Sequence, residues 1–264
     1  MPHRTSRPID NAPRPSGSAV HAGPVIRRQD QIQPTTTDQR LLQGRGGDDW
    51  VHSDPWRVLR IQAEFVEGFG TLADLGPAIS IFGSARTKAD HPMYHAAEDL
   101  ARGLVERDYA VITGGGPGIM EAANKGASEA GGTSVGLGIE LPFETSMNEY
   151  VNLGINFRYF FARKVMFLKY AQGFIVMPGG LGTFDELFEA MTLAQTGKVQ
   201  HFPVVLFGTE YWAGLIDWMR EKVLGEGYVA DRDLESFLCT DDIEEALAHV
   251  ITGPVLDEPG LLEE

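Results

Sequence analysis

Short apolar runs that alternate with helical patterns constrain the fold of this chain more than any other feature. Strands are predicted at 78–82, 110–113, 133–137, 174–177 and 204–207. Apolar residues recur at helical spacing in the intervening segments, over 91–106, 117–130, 158–171, 183–195, 210–223 and 241–250. Strands that are apolar throughout are typical of a parallel sheet covered on both faces. The sequence therefore predicts an α/β fold with a doubly wound parallel sheet.

The two ends of the chain have a different character. Residues 1–52 are rich in Pro, Gly, Ser, Thr, Gln and Arg and show no apolar periodicity, so we expect a disordered tail. A helix start is predicted at Ser53-Asp54-Pro55. Helical spacing then relates Trp56, Leu59, Ala63, Val66 and Phe69. We expect one domain over 53–252, covered by this first helix, and a C-terminal tail over 253–264.

Composition excludes several classes of function. A net charge of −15 over 264 residues argues against nucleic-acid partners and anionic membrane surfaces, but not against a phosphorylated small molecule. No apolar run approaches the roughly 18 residues of a membrane span, and no signal-peptide core follows Met1. Cys239 is the only cysteine, and the seven histidines show no metal-binding spacing. We expect a cytoplasmic protein without an intramolecular disulfide.

Glycine-rich loops follow three of the predicted strands, at 82–86, 113–118 and 178–183. One such loop alone is weak evidence, because glycine also makes ordinary tight turns. In a doubly wound sheet, however, ligands bind beyond the carboxyl ends of the strands, where three such loops share one crevice. The third loop also precedes a helix, whose N-terminal amides and dipole favour an anion. The pattern predicts a phosphate site.

The standard nucleotide fingerprints are missing from these loops. Ile119 stands where the dinucleotide motif has its third glycine, and no loop ends in Gly-Lys-Ser or Gly-Lys-Thr. We therefore expect a mononucleotide or a sugar phosphate, without a pyrophosphate or a hydrolysable γ-phosphate.

Two charged residues stand out near the third loop. Glu186 has two interpretations: with Thr183 it fits a helix capping box, or it acts on the ligand of the phosphate loop. Arg163 lies among aromatic and apolar helix neighbours. It either meets an anion, forms a structural ion pair or extends to the surface. The adjacent Lys164 favours an anion site, but the pattern does not decide.

These segments resemble a known family. Residues 160–164, Phe-Phe-Ala-Arg-Lys, and 178–186, Pro-Gly-Gly-Leu-Gly-Thr-Phe-Asp-Glu, resemble the paired signature of the Lonely Guy family. Its members are cytokinin-activating phosphoribohydrolases, long mislabelled lysine decarboxylases. The loops at 82–86 and 113–120 resemble the remaining glycine loops of that family. The resemblance covers roughly residues 56–250, and the length of the chain resembles that of the family's larger bacterial branch.

The resemblance implies a Rossmann-like fold, assembled as a homodimer or larger homo-oligomer. It implies hydrolysis of the N-glycosidic bond of an adenosine 5′-monophosphate, with or without an N6 substituent, to free base and ribose 5-phosphate. Arg163 and Glu186 would be catalytic, and no metal or other cofactor would be needed. Substrate contacts are implied at Gly83, Ser84, Gly115, Gly116, Met120, Glu144, Lys164, Gly179, Gly180, Leu181, Gly182, Thr183 and Thr192.

Two other functions are compatible with such a crevice. A nucleotide sensor or carrier would use the same site without turnover, since fold alone does not decide function. A pyridoxal-phosphate decarboxylase would need a Schiff-base lysine and a partner for the pyridine nitrogen. The sequence shows no such arrangement, so the first alternative is the stronger one.

Overall fold

A parallel sheet of seven strands forms the centre of the computed structural model, which describes residues 19–22, 25–28, 35–42, 49–140, 147–196, 202–235 and 237–252. Two further strands, β1 (Ala19–Ala22) and β2 (Val25–Arg28), pair as an antiparallel hairpin. The sheet contains β3 (Ala78–Phe82), β4 (Ala110–Thr113), β5 (Ser134–Ile139), β6 (Leu153–Phe157), β7 (Phe174–Val176), β8 (Val204–Phe207) and β9 (Phe237–Thr240). Its order is β6-β5-β4-β3-β7-β8-β9, and every neighbouring pair is parallel. The predicted α/β fold is confirmed.

Helices cover both faces of this sheet. They are α1 (Thr37–Leu42), α2 (Asp49–Leu72), α3 (Pro92–Val105), α4 (Ile119–Glu129), α5 (Phe160–Tyr170), α6 (Leu181–Gln195), α7 (Thr209–Trp218), α8 (Asp231–Leu234) and α9 (Ile243–Thr252). A π-helical turn, Met219–Leu224, continues α7. One apolar core joins the sheet to α3, α4 and α9, and the other joins it to α2, α5, α6 and α7.

The order of the strands reverses beside β3. From β3 the chain moves outward through β4, β5 and β6, and then returns to place β7 on the other side of β3. At such a reversal the loops beyond the strand ends diverge and leave a crevice. The loops after β3, β4 and β7 are the three glycine-rich segments, so the fold places them at this crevice.

Helix α2 turns its apolar stripe outward. Trp56, Leu59 and Val66 are 66%, 55% and 66% exposed, whereas the same helix buries Glu64 and Leu72. Helix α2 crosses α5 closely, since a Cβ at Gly68 would lie 2.8 Å from the Met166 sulfur. The predicted helix is present and begins earlier than expected, but its most apolar face is left exposed by this single chain.

Part of the segment predicted as a tail lies within the described residues and contains regular elements, while the remainder lies outside them. Besides the β1–β2 hairpin it includes α1, where Thr37 and the preceding Thr36 are buried and Leu41 packs on the core. Helix α1 is held largely by polar contacts described below, which an argument from apolar periodicity does not detect. None of the helices in the described ranges is long and apolar enough to cross a membrane.

Candidate functional site

The crevice is a cavity of about 1300 Å³ beyond the carboxyl ends of β3, β4 and β7. Backbone hydrogen bonds join its three glycine loops. The Ser84 amide donates to the Pro178 carbonyl at 3.0 Å, and the Ile119 amide donates to the Ser84 carbonyl at 3.1 Å. The loop after β3 is therefore fixed between the other two, and backbone hydrogen bonds hold the three loops together at the cavity.

The helix that follows the third loop begins earlier than predicted. Helix α6 has Gly180 as its N-cap, and no side chain in the described part of the chain caps it. Thr183 is the third helical residue, and its buried side chain fills the space beneath Gly179, where a Cβ would collide with the Thr183 hydroxyl. The capping-box interpretation of Glu186 is therefore wrong. The first residues of α6, Leu181 to Thr183, line the cavity, and a helix start presents amides that have no acceptor within the helix.

Glu186 lies in the second turn of α6 and lines the cavity, although only 6% of it is exposed. Burial raises the pKa of its carboxyl group from 4.5 to about 7, and the positive charges of Arg163 and Lys164 act in the opposite direction. A carboxyl group with a pKa near neutrality exchanges protons readily at physiological pH, which suits general acid–base chemistry.

Arg163 reaches the same cavity from the first turn of α5. Its guanidinium carbon lies 5.1 Å from the centre of the Phe167 ring and 5.9 Å from that of Phe160, within the range of cation–π attraction. The end of β4 accommodates it, because a Cβ at Gly114 would lie 2.5 Å from Arg163 Nη2. The structure thus brings Arg163 and Glu186 to one cavity.

Lys164 points elsewhere. Its ammonium group lies 2.9 Å from Asp185 Oδ2 and 2.8 Å from Glu189 Oε2, so it joins α5 to α6. Burial alone would lower the pKa of Lys164, but hydrogen bonds to Glu189 and Asp185 outweigh it, and the pKa is raised. Lys164 and Thr192 line a shallow groove on the other side of α6 rather than the cavity.

The remaining residues predicted from the sequence fall into two groups, those outside the described ranges and those that line the cavity. Glu144 lies outside the described residues. The others line the cavity: Gly83, Ser84, Gly115, Gly116, Met120, Gly179, Gly180, Leu181, Gly182 and Thr183. Whether they bind a substrate stays a prediction.

A buried polar network fixes the loop after β4. The Thr113 hydroxyl accepts from the Gly115 amide at 2.9 Å and donates to Asn124 Oδ1 at 2.6 Å. Asn148 Nδ2 donates to that same oxygen and to the Gly116 carbonyl. Sequence reasoning missed both asparagines, because they do not belong to a glycine loop.

Sequence reasoning also missed side chains that line the cavity. Arg86 is the last residue of the first glycine loop and lines the cavity, although the sequence motif assigned it no role. Near the third loop, the Tyr211 hydroxyl donates to the Gly179 carbonyl at 2.5 Å. Away from this loop, the cavity is lined by Glu67, Thr71, Gly138, Ile139, Met147, Gly154, Ile155 and Asn156. No sequence signal marked these last positions. Among the described residues, no cluster of His, Cys, Asp and Glu is arranged to hold a metal ion.

Known proteins resemble this chain in sequence and fold. A family model described as "Possible lysine decarboxylase" matches residues 120–250. A probable cytokinin riboside 5′-monophosphate phosphoribohydrolase of Oryza sativa subsp. japonica is 31% identical over 188 residues, which cover 69% of this chain and 80% of that protein. A cytokinin riboside 5′-monophosphate phosphoribohydrolase of Rhodococcoides fascians is 28% identical over 159 residues, 58% of this chain and 79% of that protein. The X-ray structure of a structural-genomics target shares the fold, with a TM-score of 0.52 and 24% identity over 67% of this chain and 99% of the other.

Proposed function

The chain belongs to the Lonely Guy family of cytokinin riboside 5′-monophosphate phosphoribohydrolases, and on that premise we propose that it hydrolyses the N-glycosidic bond of adenosine 5′-monophosphates. The products would be ribose 5-phosphate and adenine or an N6-substituted adenine of the cytokinin type. The observation that carries the proposal is that Glu186 and Arg163 line one cavity with the uncapped start of α6.

The 5′-phosphate would bind at the start of α6. The backbone of 179–183 lines the cavity there, and helix N-terminal amides together with the helix dipole favour a phosphate group. Arg86 lines the same cavity and adds a positive charge. Binding energy from the phosphate would hold the ribose in place while the reaction occurs at C1′.

Glu186 would act at the ribose. Breaking the C1′–N9 bond moves its electron pair to the base and leaves positive charge on the sugar, as in other glycosidic cleavages. An ionised carboxylate stabilises that charge and takes a proton from the water whose oxygen bonds to C1′. Transfer of this proton to the departing base gives the neutral base and restores the carboxylate. The positive charge of Arg163 acts to lower the pKa of Glu186 against the larger effect of burial, and its guanidinium would offer donors to the bound nucleotide.

The test is to incubate the purified protein with AMP and with isopentenyladenosine 5′-monophosphate and to separate base from ribose 5-phosphate by chromatography. We expect release of both products, and the ratio of the two rates gives the preference for an N6 substituent. Glu186→Ala should abolish release while nucleotide binding persists. The exposed Glu226→Ala serves as the matched control and should keep full activity. Full activity of Glu186→Ala would contradict the proposal.

A nucleotide sensor or carrier is the alternative reading of the same cavity. Binding of AMP by calorimetry, with no product from either nucleotide after long incubation, would favour it over hydrolysis.

We further propose that the chain forms a homodimer or a larger homo-oligomer. The exposed apolar stripe of α2 supports this, because large apolar patches on a folded surface commonly mark an interface. Light scattering in solution should give at least twice the mass of one chain, and a monomer mass would contradict the proposal.

A further inference from the structure

Carboxylates from two other helices accept hydrogen bonds from three successive amides where the chain enters α5, whose first residue is Phe160. The Arg158 amide donates to Glu64 Oε1 at 2.9 Å, and the Tyr159 amide donates to Glu64 Oε2 at 3.3 Å. The next amide, that of Phe160, donates to Asp38 Oδ2 at 3.1 Å. These contacts span 94, 95 and 122 positions of sequence, so the start of α5 depends on tertiary structure.

Such contacts fix the entry of the chain into α5, and Asp38 supplies an acceptor for the first helical amide, that of Phe160. The N-cap residue Tyr159 makes no side-chain capping hydrogen bond, whereas the first amides of a helix need acceptors. Glu64 is only 4% exposed, and its Oε1 also lies 3.3 Å from the Arg158 guanidinium. Burial raises the pKa of Glu64 and of Asp38. Glu64 is enclosed, whereas Asp38 is half-buried, and each has specific amide partners.

Helix α1, which supplies Asp38, is itself anchored. Thr36 and Gln39 form a reciprocal cap: the Thr36 amide donates to Gln39 Oε1 and the Gln39 amide donates to Thr36 Oγ1. The Thr37 amide donates to Glu140 Oε2 at 3.1 Å, just beyond β5. The Asp38 carboxylate is thus held at a defined place over the start of α5.

We propose that Asp38 is a positioning residue for Arg163, acting together with Glu64 through the first turn of α5. The proposal rests on the proposed function. Arg163 is one turn from the held amides, and its own amide donates to the Tyr159 carbonyl at 3.2 Å. Its guanidinium has little room to shift, because it packs closely on Gly114 and over the Phe167 ring. If the first turn of α5 moved, Arg163 would lose this close fit, and its guanidinium would no longer lie in the same place in the cavity.

The experiment compares Asp38→Ala with Asp38→Asn in the full-length protein. Asparagine keeps an oxygen that accepts from the Phe160 amide, and alanine does not. We expect Asp38→Ala to lower kcat for AMP by about tenfold or more with little change in KM, since small misplacements of reacting groups are costly. Asp38→Asn should retain most of kcat. The exposed acid Asp74→Ala is the control and should match the wild type.

A second readout separates this proposal from the hydrolase itself. Hydrogen exchange of the amides at 158–163 should be faster in Asp38→Ala than in Asp38→Asn, whether or not the protein hydrolyses AMP. Circular dichroism gives the folded fraction of each variant. Unchanged exchange, or a fall in kcat that only tracks the loss of folded protein, would overturn the positioning role.

Discussion

The starts of α5 and α6 lie at the same cavity but differ in whether acidic side chains of the protein accept hydrogen bonds from their amides. At α5, carboxylates of Glu64 and Asp38 accept hydrogen bonds from three successive amides. At α6, the N-cap is Gly180, which has no side chain to offer, and no described residue caps the helix. A helix start carries partial positive charge in both cases. The protein's own acids satisfy that charge at α5, while at α6 it remains available to a ligand.

This difference separates two tasks within one cavity. An anion would compete with the bound carboxylates at α5, so this helix serves to hold Arg163 rather than to bind phosphate. Under the proposed function, helix α6 would bind the phosphate through its backbone, and it carries Glu186 one turn further on. On the same premise, α5, whose start is bonded to carboxylates of the protein, positions Arg163. Helix α6, whose start is uncapped, receives the phosphate of the substrate.

The largest effect is expected from giving α6 the kind of cap that α5 has. A Cβ at Gly180 meets nothing within 4 Å, and its φ of −104° suits an ordinary residue. Gly180→Asp should therefore fold, and the new carboxylate should bond to the first amides of α6. Competition and like charge should weaken AMP binding by about a thousandfold, measured by calorimetry. The folded state should gain a few tenths of a kcal/mol.

Gly180→Asn distinguishes two causes of weaker AMP binding: competition for the amides of α6 and repulsion between a carboxylate and the phosphate. Asparagine has the same shape and caps the same amides, but it does not repel a phosphate, so its loss of affinity should be much smaller. Tight AMP binding by Gly180→Asp would show that the phosphate does not lie at α6.

The sequence predicts the inner part of this fold well, for a physical reason. Inner strands such as β3 and β4 are buried along their whole length, and their apolar runs are unbroken. The edge strands β6 and β9 were missed. Strand β6 contains Gly154 and Asn156 and buries only part of its length, and β9 is mostly half-buried. An edge strand needs fewer apolar residues, so its pattern is weaker.

In the candidate site, too, local sequence patterns identify some residues and miss those that depend on long-range contacts. Glycine loops and helical spacing are local signals, and they were sufficient to select Arg163 and Glu186. The neighbouring cation Lys164 was grouped with them, yet successive helical residues point about 100° apart, and Lys164 faces α6 instead. Contacts such as that of Asp38 with the Phe160 amide join residues 122 positions apart, and no local pattern contains them.

The second-largest effect is expected on the pH dependence of stability, because the buried acids beside α5 and on α6 have different partners. Glu64, beside α5, accepts two amide hydrogen bonds, whereas Glu186 on α6 relies on the charges of Arg163 and Lys164. Because burial raises the pKa of Glu186 from 4.5 to about 7, the folded state holds its proton more tightly than the unfolded state. The wild type therefore loses stability as pH rises between these two values.

Glu186→Gln should remove that loss. Its stability relative to the wild type should be near zero at pH 4.5 and should rise to at most about 3 kcal/mol above pH 7, measured by urea unfolding at several pH values. The exposed Glu226→Gln is the control and should show no such trend. A stability difference that is the same at pH 5 and pH 8 would mean that Glu186 titrates normally.

The smallest effect on AMP binding is expected from replacing Arg86. This substitution tests whether the uncapped start of α6 needs a neighbouring cation to bind phosphate. Arg86 lines the cavity from the loop after β3, and that loop is fixed by backbone hydrogen bonds through Ser84. Arg86→Ala should raise KM for AMP by about tenfold, the size of a charged hydrogen bond in a partly solvated place, with kcat nearly unchanged.

Two comparisons make the Arg86 prediction specific to phosphate. Arg86→Ala should weaken binding of ribose 5-phosphate by about the same tenfold factor, and should leave binding of adenosine, which has no phosphate, unchanged. The exposed Arg220→Ala removes the same charge outside the cavity and should alter neither. If Arg86→Ala weakens adenosine and ribose 5-phosphate equally, the arginine acts on the shape of the cavity, and the uncapped amides of α6 hold the phosphate without a cation.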